Sequence, residues 1–390
     1  MIDVEALRAD TPGVDRVVHL NNAGAALMPT PVIEAMRNHL DAETLLGGYE
    51  AIEGAREISH GIYPSLAALV GSDPSEIALS DSATQAWHRV VYSLRHRVGD
   101  RILTTTTEYG SNWAAFLQLG ERFGVETVVV GDAPSGEIDL EQLAASIDDR
   151  TTLIALNHMP TNGGVVNPAG RVGEIARAAG VPYLLDACQT VGQMPLDVDD
   201  IGCDFLTGTS RKFLRGPRGI GFGYVRSSSM GLLDPFVVDN HAARVTDRTI
   251  EFRNDARRFE TWEKSWINVA GLRAATEYAL AVGIDAIWER ARNLAAILRR
   301  ELGVMDGVEV LDRGSVMGAI VTLRVECRPS IEVRELLRER SINVSHATVN
   351  SAPVDMRSRG IDDLVRVSPH AYTSDDELDA FLSAMDVIVG

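Results

Sequence analysis

Cysteine is scarce, with Cys188, Cys203 and Cys327 the only three in 390 residues and all far apart. That spacing suits neither a disulfide framework nor a zinc motif, so reduced thiols in a cytosol are the simplest account. The first twenty residues lack a basic start followed by an apolar core. No later run approaches the roughly 18 apolar residues of a membrane span. These absences point to a cytoplasmic protein without a membrane partner. Basic charge is also in deficit, 37 residues against 55 acidic for a net charge of −18. Such a balance repels phosphate backbones and acidic membranes, which argues against nucleic-acid binding. There is no basic helix-turn-helix stretch, internal repeat or low-complexity segment. What remains is an ordinary globular composition, 45% hydrophobic and 24% charged, long enough for two domains and a large core.

The chain is organised around residues 204–219, where an apolar strand runs into the small-residue turn Thr207-Gly208-Thr209-Ser210, presents Lys212, and leaves through Gly216-Pro217-Arg218-Gly219. A lysine held among hydroxyls and arginines in such a turn can be partly desolvated and supply a neutral amine for a Schiff base. A second apolar strand, 181–187, carries Asp186, 26 positions before Lys212. Strand then Asp, strand then Lys, is the order a pyridoxal-phosphate site would require, because the pyridinium nitrogen needs an acid partner.

Other segments supply the frame. Small and hydroxyl residues from Ser80 to Ala86 lie between a short strand at 77–79 and a helix running to Leu94. The free N–H groups of such a junction attract an anion whatever the net charge of the chain. Strand patterns at 102–106, 125–131 and 152–157 alternate with helical ones, which predicts an α/β three-layer sandwich with a mainly parallel sheet covered on both faces. Helices are expected over 32–46 and 49–70, the second burying Ile52, Ile58, Tyr63, Leu66 and Leu69. Helices over 270–282 and 286–302 lead into a smaller α/β unit with strands at 319–325, 342–345 and 365–368. Ser374 opens the last helix with a capping box. His158 reads as a structural histidine, and Cys188 as a packing residue rather than a nucleophile.

With these residues in place, the sequence resembles the class V aminotransferase family of fold type I pyridoxal-phosphate enzymes over nearly its whole length. The string Ser210-Arg211-Lys212-Phe213-Leu214-Arg215-Gly216-Pro217-Arg218-Gly219 is most similar to the isopenicillin-N-epimerase-like and ergothioneine-pathway C–S lyase branches. The resemblance implies an N-terminal segment at 1–20, a large cofactor-binding domain at 21–268 and a small C-terminal domain at 269–390. It implies that Lys212 carries the cofactor as an imine and, once freed, acts as general base at the α-carbon, with Asp186 on the ring nitrogen and Gln189 on the ring hydroxyl. Ser82, Ala83 and Thr84 would cradle the phosphate with Thr209 and Arg211. Tyr109 would cover the ring, and Thr161 or, ahead of it, Asn162 would make a polar contact. Asn22, Ala23 and Gly24 would form the substrate loop and Arg366 would clasp the substrate carboxylate in a bidentate fork.

The departures from the family pattern are as informative. Ala83 stands where desulfurases often carry a hydroxyl, Arg211 replaces a histidine, and no histidine lies near Tyr109. Trp262, Glu263 and Lys264 occupy the place of a Gly-Thr-Pro element that reaches the neighbouring subunit's phosphate. Residues 343–363 contain no cysteine, although a desulfurase needs one on a mobile loop to take up sulfur. The reading that follows is a C–S β-lyase acting on an S-substituted cysteine or its sulfoxide in secondary or thiol metabolism, with a class V aminotransferase or epimerase as the alternative. A homodimer is expected and no metal is invoked.

Overall fold

The computed structural model describes residues 2–390 and shows a seven-stranded sheet sandwiched between helices. Its strands are β1 (Ile77–Ser80), β2 (Arg101–Thr105), β3 (Glu126–Val130), β4 (Thr151–Asn157), β5 (Tyr183–Asp186), β6 (Phe205–Thr209) and β7 (Gly221–Val225). They lie in the order β1-β7-β6-β5-β4-β2-β3. Every contact is parallel except those of β7, which is antiparallel to both neighbours. The middle strands are buried almost end to end, as a sheet covered on both faces requires. β7 escaped the sequence pattern because Gly221 and Gly223, poor strand formers, flank Phe222 right after the Gly216–Gly219 turn.

Each crossover is punctuated locally. Ser82 caps the helix Ala83–Ser93 by accepting from the Gln85 amide at 3.2 Å, and Asp139 and Asp197 do the same for the helices they precede. The predicted helix over 49–70 is two helices, Gly48–Gly54 and Arg56–Val70, broken at Ala55. Tyr63, Leu66 and Leu69 are buried as expected, whereas Ile52 and Ile58 are only partly covered.

A second, four-stranded antiparallel sheet contains β8 (Val308–Val310), β9 (Val321–Val325), β10 (Ser345–Thr348) and β11 (Asp363–Val367), in the order β8-β9-β11-β10. The strand expected over 342–345 is divided. Ile342 and Asn343 pair in parallel with Val18 and His19, and Ser345 onward joins the sheet. The chain before residue 21 is therefore laced to the C-terminal unit, and Leu20 and Ala23 belong to its core. Conversely, the helix Trp266–Val282 buries Val269, Leu272, Ala275 and Ala279 in the core beneath the large sheet. Burial passes from one core to the other within the next helix, Ile284–Gly303, between Ile287 and Ala291. Among the described residues no helix is long and apolar enough to cross a membrane.

Candidate active site

The carboxyl ends of β2, β4, β5 and β6 open onto one cavity of about 230 Å³, the place where open α/β sheets bind ligands. Asp186 ends β5, and Lys212 lies in the turn after β6. Both line the cavity, together with Ser82, Ala83, Thr84, Tyr109, Gln189, Thr209 and Arg211. Gly192, at φ +85, allows the segment after Asp186 to lie against the lysine turn, since a Cβ there would sit 2.5 Å from the Leu214 backbone. Gly221 does the same for the junction at Ser82 and Ala83, where a Cβ would come 2.7 Å from the Ala83 amide.

The lysine turn is closed on itself. The Arg215 amide donates to the Lys212 carbonyl at 2.9 Å, and the Gly216 amide to the Ser210 carbonyl at 2.9 Å. Arg215 adopts φ +63, an unusual conformation for a non-glycine residue. Its buried guanidinium lies 4.4 Å from the Tyr372 ring and donates to the Leu27 carbonyl at 3.0 Å and the Thr11 hydroxyl at 2.5 Å. This clamp ties the turn to the N-terminal segment and has no local sequence signature.

Arg211, Lys212 and Arg218 line the cavity without a carboxylate partner, and Arg366 lies off the lining, bonded to the lining residue Thr161. Lys212, Arg211 and Arg366 form no ion pair among the described residues, in a chain with a net charge of −18. Burial lowers the Lys212 amine to about 8, an effect that Arg211 and Arg366 reinforce and Asp186 opposes. Burial likewise lowers Arg366 to about 10. Arg366, from β11, donates through one Nη to the Thr161 carbonyl at 3.0 Å and hydroxyl at 2.9 Å, while its Nε is buried without a partner. Arg211 donates to the Gly24 carbonyl. Unpaired buried guanidinium groups are costly unless an anion completes them.

Asp186 accepts from the Cys188 amide at 3.0 Å and from Asn112 Nδ2 at 2.9 Å. Gln189 donates to the Ala23 carbonyl at 3.3 Å and to Thr161 Oγ1 at 3.4 Å, and its Oε1 is buried without a partner. Cys188 lines the cavity beside Asp186, and burial raises its thiol well above the ordinary value, so it is held protonated. His158 contacts Thr190 at 3.1 Å and burial lowers it to about 4, so it is a neutral structural residue.

Two expectations change. Asn162 does not line the cavity. Its Nδ2 donates to Ser351 Oγ at 2.7 Å, and Thr161 faces the cavity in its place. The Asn22 side chain is fully buried and committed to the framework, donating to the Ser368 carbonyl at 2.8 Å and accepting from the Tyr372 hydroxyl at 2.5 Å. Ala23 and Gly24 also lie off the cavity lining, and the loop reaches the site through the Gly24 carbonyl that takes Arg211. Sequence reasoning did not single out Asp81, Asn112, Asn157, Met159 and Arg218, which complete the lining together with Gly219 and Ile220.

The arrangement fits a phosphorylated pyridine aldehyde. A helix N-terminus with Thr209 and Arg211 would meet its phosphate, Tyr109 would provide an aromatic wall, and Gln189 Oε1 and Arg366 Nε are buried without partners.

Comparison with known proteins agrees with this geometry. The family model described as "Aminotransferase class-V" matches residues 18–381. The chain is 26% identical over 393 residues to a "Probable cysteine desulfurase" from Methanothermobacter thermautotrophicus, covering 99% of this chain and 98% of the relative. It is 28% identical over 398 residues to a "Probable cysteine desulfurase" from Xylella fastidiosa, covering 98% and 95%. Among solved structures, the apo cysteine desulfurase of Thermococcus onnurineus superposes with a TM-score of 0.92 at 25% identity, covering 100% of this chain and 98% of that one. The cystine C–S lyase C-DES shares the fold with a TM-score of 0.87 at 22% identity, covering 96% and 99%.

Proposed function

For this chain, which belongs to the class-V aminotransferase family and whose cofactor is pyridoxal 5′-phosphate, we propose a C–S β-lyase activity on an S-substituted cysteine or its sulfoxide. When bound, the cofactor acidifies the substrate Cα–H by accepting its electrons into the ring. The rest falls to the protein. Arg366, whose Nε has no partner and whose Nη2 has only a 3.5 Å contact to Asn21 Oδ1, would supply donors for the substrate carboxylate. The Lys212 amine, brought by burial to about 8, is neutral often enough near neutrality to take the Cα proton. Asp186, held by Asn112 and the Cys188 amide, offers an anion to the ring nitrogen. Loss of the Cα proton and cleavage of the Cβ–S bond release the sulfur as a thiol, or as a sulfenic acid from a sulfoxide. Water then converts the three-carbon remainder to pyruvate and ammonium.

The observation that carries this reading over the desulfurase named among its relatives is the place of sulfur acceptors. The chain from Ser345 to Asp363 contains no cysteine, and the part of it between β10 and β11 folds as the turn Val349–Ser351 and the helix Pro353–Ser358, tied through Ser351 to Asn162, the neighbour of the cavity-lining Thr161. Cys203 is buried in the core and Cys327 is exposed. Cys188 is in the cavity but is held as the thiol. No enzyme thiolate is available there to take sulfur from cysteine.

The reading includes a homodimer in a reducing cytosol. Exposed Phe236, Val237, Val238 and Trp262 support a second copy, because Thr261 and Lys264 beside them share a cleft with the cavity residues Asp81, Gly219 and Ile220. The three free cysteines suit that compartment.

The test is product analysis with cysteine, with cysteine S-conjugates and their sulfoxides, and with amino acids plus a keto acid. Equal amounts of pyruvate and thiol, or sulfenate from a sulfoxide, are expected from the conjugates. Alanine and persulfide from cysteine would establish a desulfurase, a new amino acid an aminotransferase, and loss of optical purity an epimerase. Any of these without pyruvate overturns the proposal.

A further inference from the structure

Behind the Asp186 wall of the cavity lies a second buried carboxyl that the reaction outlined above does not use. Glu108 follows β2 at the entrance to the helix Gly110–Phe123 and is 1% exposed. Its Oε2 accepts from the Thr104 hydroxyl at 2.7 Å. Its Oε1 accepts from the Tyr109 amide at 2.7 Å and from Asn112 Nδ2 at 2.9 Å. The same Asn112 NH2 group donates to Asp186 Oδ2 at 2.9 Å. One amide therefore bridges two carboxyls, using both of its hydrogens.

No cation pays for this burial: among the described residues Glu108 has no ion-pair partner, and desolvation, followed by the charge of Asp186, raises it to about 7. The bonds of Oε1 show where the carboxyl acts, since both lead to cavity-lining residues, Tyr109 and Asn112. Oε1 already accepts two donors, so a proton taken up by Glu108 goes to Oε2, where the Thr104 hydroxyl turns to accept it. The Asn112 bridge survives in either protonation state.

We propose that Glu108 is a positioning residue that fixes the ring slot from behind, holding Asp186 at the ring's nitrogen edge through Asn112 and Tyr109 at its face through the backbone amide. If the Asn112 amide turned over, its carbonyl oxygen would face two carboxyl acceptors, so Glu108 and Asp186 enforce one orientation together. The slot is thereby set before the cofactor arrives, which lowers the ordering cost of binding. This inference rests on pyridoxal phosphate occupying the cavity with its nitrogen at Asp186.

The test uses the full chain, stripped of cofactor and reloaded, with the dissociation constant of pyridoxal phosphate and the pH dependence of its visible absorption band as readouts. Glu108→Ala should weaken cofactor binding roughly tenfold to a hundredfold, the span of one hydrogen bond to a charged group, and shift the pH midpoint of the band. Glu108→Gln keeps an acceptor for Asn112 and should recover most of the affinity. Asn112→Ala should reproduce the loss, and the double variant should be no worse than the worse single one, because both cut the same connection. A Glu108→Ala protein with a lower melting temperature but wild-type affinity and spectrum overturns the proposal, as do additive losses. If Glu108→Ala does not fold, unchanged affinity and spectrum in Asn112→Ala overturns it equally. A wild-type chain that takes up no pyridoxal phosphate would overturn the cofactor reading, and this inference with it, before any variant is compared.

Discussion

Lys212 and Lys264 are the only lysines in the chain, and both are largely withdrawn from solvent, yet their surroundings are opposite. Lys264 meets Glu260, whose side chain is fully buried and also accepts from the Tyr63 hydroxyl at 3.0 Å and the Leu79 amide at 2.8 Å, with His241 at 3.3 Å. That cluster pins the segment before Ser265 to β1 and to the helix Arg56–Val70. Lys212 faces a cavity with two unpaired arginines near it, opposed by Asp186. A compensated ammonium is a structural strut. An uncompensated one is driven toward its neutral form, which is the form that attacks a carbonyl.

The comparison breaks if the two lysines respond alike to removal. Lys212→Ala should lower turnover by at least about 10²–10⁴-fold, the range of a lost proton-transfer group, and abolish the visible band of the bound cofactor while the melting temperature of the apoprotein is kept. Lys264→Met should retain the band and cost about 3–5 kcal/mol in denaturant unfolding, because it strands a buried carboxylate. Loss of the band in Lys264→Met, with the fold intact, would make the distinction untenable.

Arg366 extends the contrast to a second unpaired cation. Arg366→Lys keeps the charge but loses the fork, and should raise KM for the amino acid roughly tenfold to a hundredfold with a smaller change in cofactor affinity. An unchanged KM would remove Arg366 from the carboxylate site. The smallest effect expected is one of pH. The neutral fraction of Lys212 grows as pH rises through about 8. Reductive tagging of the apoprotein by pyridoxal phosphate and borohydride should follow that midpoint at Lys212 and leave Lys264 unlabelled in peptide maps. Equal labelling of both peptides would contradict the comparison.

Much of the fold was legible because its signals are local. Ser82 announces the helix it caps, Ser374 does so through its capping box, and the buried strands ending in Asp186 and Thr209 order the two reacting positions along the sheet. Legibility ended where a side chain had a choice of direction. Thr161 and Asn162 are adjacent and both polar, and which one meets the cavity is decided by Arg366 and Ser351, about 200 positions away. Asn22 reads as a substrate contact until Ser368 and Tyr372 take both ends of its amide. Nothing local sets Glu108 apart, and only the turn after β2, bonded to Thr104 and Asn112, places it behind Asp186.

The order of strands and helices, the caps between them and the positions of Asp186 and Lys212 follow from residues close together in the chain, since hydrophobic period and capping are short-range effects. The electrostatic state of those residues does not. Whether an amine or a carboxyl is paired, dry or bridged depends on groups brought from β11, the N-terminal segment and the turn after β2. Burial and Coulomb energy are set by distance in space, and only the folded chain supplies it.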